Sequence, residues 1–122
     1  MVVGLMHRFS RFCTLLALLC LALGQARAVT LKEARQLYAT GEYAKAIKAS
    51  EAAIAANEYD SGWRLLLLRA RLTTGQYPEA RQFATELLKD YRYRSNAEAL
   101  WLFHLAYEAN GDAEQAGQML QV

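Results

Sequence analysis

Residues 40–46 read TGEYAKA and residues 74–80 read TGQYPEA, almost the same phrase written twice at a spacing of 34 residues. A third version, GDAEQA at 111–116, follows with its glycine 36 residues after the second. Each phrase has the chemistry of a helical reversal. The glycine tolerates the left-handed backbone that ends a helix. The alanine five residues later (Ala46, Ala80 or Ala116) lets the returning helix approach closely. The tyrosine between them, Tyr43 or Tyr77, is able to pack across the hairpin, and Ala113 stands there in the third phrase.

Working outward, the residues around these turns are helix formers: alanine, leucine, glutamate, arginine and glutamine, with a single proline. Apolar residues recur at steps of three and four, as in Leu31, Ala34, Leu37 and Tyr38, and no alternating strand pattern occurs. Thr30-x-x-Glu33 and Ser95-x-x-Glu98 have the form of capping boxes, and Asp60 and Ser61 can cap a helix beginning near Trp63. Pro78 fits the first turn of a helix, where its missing N–H costs nothing. The spacing predicts six helices, near 31–40, 44–57, 62–74, 78–91, 96–110 and 113–121, joined as three hairpins.

From about Val29 to its end the chain resembles the tetratricopeptide family, whose helix–turn–helix unit repeats every 34 residues. Ala53 and Ile54, then Leu87 and Leu88, stand where that family buries its second helix (B) against the next unit. The chain departs from the pattern in three ways. The proline that closes a repeat is absent, Ser95 and Asn96 lengthen the second junction, and Leu68 and His104 replace a small residue before the turn. The resemblance implies an all-α fold, antiparallel hairpins stacked as a short right-handed α-solenoid. Its repeats are expected at about 29–60, 61–96 and 97–122, the last incomplete. Met119, Leu120 and Val122 then offer apolar contacts to a further element or to a second copy, giving a possible homo-oligomer through the C-terminal repeat.

The resemblance also implies a concave face built by the first helix (A) of each unit, where peptides or partner proteins bind. The residues carried onto it are Leu31, Arg35 and Tyr38, then Leu65, Arg69 and Leu72, then Trp101, Leu105 and Glu108. Arg35 and Arg69 occupy equivalent places and are suited to grip one carboxylate by forked hydrogen bonds. Trp63 and Trp101 open the second and third A helices and read foremost as packing anchors. The lysine–asparagine clamp of chaperone-binding members is not at the matching places.

Signs of catalysis are lacking. His104 lies on an apolar face without a metal-binding constellation and reads as a packed histidine with one hydrogen bond. Ser50, Ser61 and Ser95 lie outside any nucleophile-elbow pattern, and the glycines are single turn residues. The YRYR cluster at 91–94 mixes aromatic and basic residues but reads as a junction between repeats, not a nucleic-acid site. No cofactor, metal or nucleic acid is expected. The expected role is a non-catalytic protein-protein interaction module. The alternative is the N-terminal helical region of a larger cell-envelope enzyme, such as a hydrolase, with its active site beyond residue 122.

Residues 1–28 have the layout of a secretory signal peptide: Arg8 and Arg11, an apolar run over Phe12–Leu23, then Ala26-Arg27-Ala28. The run is shorter than the roughly 20 residues a spanning helix needs. Cleavage after Ala28 would remove both cysteines and leave 11 of the 14 basic residues against 12 acidic ones. The mature domain at 29–122 would be slightly acidic and free of a membrane. It would lie in the periplasm or cell envelope, or be secreted.

Overall fold

The computed structural model describes residues 27–121. Except for Arg27 and Ala28, the expected signal peptide lies outside them. The described residues form seven helices and no strand: α1 (Leu31–Ala39), α2 (Tyr43–Ala55), α3 (Ser61–Thr73), α4 (Tyr77–Leu87), α5 (Tyr91–Arg94), α6 (Ala97–Ala109) and α7 (Ala113–Gln118). The pairs α1–α2, α3–α4 and α6–α7 are the three expected hairpins, and α5 is an addition.

The turns work as their chemistry requires. Gly41, Gly75 and Gly111 have φ of 83°, 77° and 79°. At each, two N–H groups fold back onto the last turn of the preceding helix. Gly41 donates to the Tyr38 carbonyl and Glu42 to that of Leu37, and the other two turns repeat the arrangement. Asn57 (φ 57°) ends α2 in the same way, with Glu58 donating to the Ala53 carbonyl. An asparagine in the left-handed region thus closes the first repeat where the family's proline is missing. Beyond the glycines, Ala46, Ala80 and Ala116 are all buried, which lets the paired helices approach.

Between hairpins the apolar stripes interlock. Ala34, Trp63 and Leu66 form one cluster, against which Leu31, Tyr38, Ala53 and Ile54 pack. Leu65, Leu68, Ala80, Leu87, Leu102, Phe103 and Ala106 belong to a larger one. Helix α3 feeds both, with Trp63 and Leu66 toward the first hairpin and Leu65 and Leu68 toward the third. Each fully buried leucine or phenylalanine contributes about 1.5–3 kcal/mol, so the central hairpin holds the stack together.

Four local expectations are corrected. The second B helix stops at Leu87, not near 91. Asp90 then caps α5, accepting from the Arg92 N–H at 3.0 Å. Arg94 donates to the Leu88 and Lys89 carbonyls at the end of α4, and Tyr93 is buried in the larger cluster. The cap of α6 is Asn96, accepting from the Ala99 N–H at 2.9 Å, while Ser95 belongs to the end of α5. Trp63 is a buried anchor, but Trp101 is 52% exposed. Among the described residues no further hairpin covers it. Tyr77 is 43% exposed, so the cross-hairpin role belongs to Tyr43, whose ring centroid lies 5.2 Å from that of Tyr38. No helix among the described residues is long and apolar enough to cross a membrane.

Candidate functional site

Helices α1, α3 and α6 are the A helices, and their side chains meet in a cavity of about 410 Å³ at the junction of the three repeats. The repeat register explains which residues arrive there. Asp60 and Asn96 occupy equivalent N-cap positions, Gly62 and Glu98 stand two residues beyond them, and Arg35 and Arg69 reach over from the preceding A helix.

Two equivalent arginines therefore meet different surroundings. The Arg69 guanidinium donates to Glu98 Oε1 at 2.6 Å, tying α3 to α6. Arg35 lies over Gly62, and a Cβ built there would come 2.7 Å from Arg35 Nη2 and 2.8 Å from Leu31 Cδ2. The absent side chain is what makes room for that guanidinium. Asp60 is occupied in capping Gly62 N at 2.8 Å. Among the described residues Arg35 makes neither an ion pair nor a side-chain hydrogen bond. Tyr38 closes one side, its hydroxyl 2.8 Å from Thr73 Oγ1, and Leu65 and Leu66 form an apolar wall.

Of the residues expected on the concave face, the structure brings Arg35, Tyr38, Leu65 and Arg69 together at this cavity. Leu65 serves it only at its edge, since it is buried in the core. Leu31 adjoins the cavity through Gly62, and Leu72 packs against the larger cluster. Trp101, Leu105 and Glu108 do not line it. Trp101 stacks on His104 with ring centroids 5.2 Å apart, and His104 Nε2 is 3.4 Å from Glu108 Oε2. His104 Nδ1 lies 2.9 Å from the Ala116 carbonyl, the single packing hydrogen bond expected of it. Gly62, Glu98, Asp60 and Asn96 line the cavity beyond the expected residues. Placing repeats two and three in register, with Gly62 over Glu98, is the signal that finds them.

The arrangement suits binding. Ser50 is buried and donates to the Ala46 carbonyl at 2.8 Å, a helix contact. Among the described residues no group of three or more His, Cys, Asp or Glu is placed to hold a metal ion. A family model described as Tetratricopeptide repeat matches residues 37–100, more than half of the chain. Neither a curated protein nor a solved structure matches it.

Proposed function

The chain belongs to the tetratricopeptide repeat family, and on that premise we propose that it is an exported module that holds a partner protein on its A-helix face and performs no reaction of its own. The position of Arg35 carries the reading. Its equivalent, Arg69, is met by Glu98 from within the chain, whereas Arg35 faces Gly62 and makes no ion pair among the described residues. A guanidinium held beside an apolar wall binds a carboxylate through charge-assisted, forked hydrogen bonds. A partner segment with one acidic group and apolar neighbours suits the groove. The two arginines do not share that ligand; Arg69 serves as a neutralised wall. Export rests on the leader at 1–28, and the compartment it implies is the periplasm or cell envelope.

Photocrosslinking in envelope extract tests the groove. A photoreactive residue at Ser61 is expected to capture a partner that the same residue at Lys48, on α2, does not. Capture is expected to fall with Arg35→Glu. Equal capture from both positions, or capture indifferent to Arg35, would sink the proposal. For export, mass spectrometry is expected to find a mature N-terminus at Val29, and an intact Met1 would overturn cleavage.

A further inference from the structure

A second concavity, of about 420 Å³, lies in the opposite layer, between α2 and α4. Ile54, Leu67 and Phe83 line it, and so do the acidic residues Glu51, Glu79 and Glu86. On α4 the residues Glu79, Phe83 and Glu86 share one helix face by their spacing. Arg71 lies among them, with Nη2 3.2 Å from Glu51 Oε1 and its guanidinium 5.2 Å from the Phe83 ring centroid. That pairing accounts for Glu51. Glu79 and Glu86 are exposed and have no ion pair among the described residues.

The next junction shows that these charges are not needed for packing. In register, Thr85 stands for Glu51, Tyr107 for Arg71, Gln115 for Glu79 and Met119 for Phe83. There Thr85 Oγ1 and Tyr107 OH meet at 2.9 Å, a neutral pair in the place of the ion pair. At these positions the contact is neutral, although Arg81 and Asp112 pair elsewhere at the same junction, and the two carboxylates of the first groove are left facing solvent without a partner among the described residues. A single metal ion does not explain them, since no acidic group among the described residues is clustered for one.

We propose that this groove receives a basic segment of a partner protein, one apolar side chain resting on Ile54 and Phe83 and flanking lysine or arginine residues meeting Glu79 and Glu86. Seven residues of helix separate the two glutamates, about 10 Å along the axis. An extended Lys-x-Leu-x-Lys segment presents all three side chains on one face, with its lysines about 13 Å apart, a span the flexible lysine stems adjust. The site is on the other layer from the Arg35 groove, takes the opposite charge and does not depend on it.

The test is titration of the isotope-labelled full chain with the acetylated, amidated peptide Gly-Lys-Ser-Leu-Ser-Lys-Gly. Backbone amide shifts are expected at Ala55 and Gln82. The dissociation constant is expected to rise about fivefold in the double variant Glu79→Gln, Glu86→Gln, as loss of two exposed ion pairs implies. A peptide with glutamate in place of both lysines is expected not to bind. Both glutamates are exposed, so the double variant should melt within a few degrees of the parent. The proposal falls if no shifts appear, if they map to Asn96 and Gly62, or if the double variant binds equally well.

Discussion

Arg69 and Glu98 join the second and third A helices through a 2.6 Å ion pair, while Arg35, one repeat earlier, looks across at a glycine. Both partners of the pair are roughly half exposed, so it contributes less to stability than to deciding which arginine is available. Glu98→Gln is expected to cost no more than about 1 kcal/mol in urea denaturation. It should also raise the affinity of the A-helix groove for an acidic partner by releasing a second guanidinium. Weaker binding in that variant would contradict the division of roles.

Glycine exchange separates backbone strain from space. A Cβ at Gly75 meets nothing within 4 Å, yet φ there is +77°. Gly75→Ala should therefore destabilise by about 1–2 kcal/mol through conformation alone. Gly117 also has open space and no positive φ. Gly117→Ala should stabilise by up to about 1 kcal/mol, because it lies within α7. Equilibrium melts of the two variants are expected to move in opposite directions.

Two aromatic residues on α6 give an equally clean contrast. Phe103 is 0% exposed and central to the larger cluster, so Phe103→Ala should cost about 3–5 kcal/mol. Trp101→Ala should stay within about 0.5 kcal/mol, as surface changes usually do. A comparable loss at Trp101 would mean that its face is covered in solution.

Acid should loosen the start of α1. The Glu33 carboxylate is held below its ordinary value of 4.5, first by the Thr30 N–H, then by the Thr30 hydroxyl. Because the folded value is the lower one, the stabilisation is complete above 4.5 and fades as pH falls through the folded value. Hydrogen exchange at Glu33, whose N–H donates to Thr30 Oγ1 at 3.2 Å, should accelerate in that range. Thr30→Ala should remove only part of the pH dependence, since the main-chain N–H still donates to Glu33, and cost about 1 kcal/mol.

The parts of this architecture that were legible in the sequence are those fixed by local chemistry. The glycines of the turns, the small residues beyond them and the Thr30–Glu33 box each act within a few positions. The break after Leu87 was hidden because it depends on Arg94 reaching back to the Leu88 and Lys89 carbonyls and on Tyr93 finding a place in the core. Trp101 misled for another reason: its equivalent, Leu65, is buried only because a further hairpin covers it. The groove was half legible. Its arginines stand out by spacing, but Gly62 matters for a side chain it lacks, visible only beside Glu98.

The paired contacts described above, Glu51 with Arg71 and Thr85 with Tyr107, also differ in how they answer to the surrounding solution. Mobile ions weaken an attraction between partly exposed charges and leave a hydroxyl pair nearly untouched. Rising ionic strength should thus loosen the Glu51–Arg71 contact, together with the Arg69–Glu98 and Arg81–Asp112 pairs, while the Thr85–Tyr107 contact holds. In strong brine this small stack would keep one of these ties and slacken the rest.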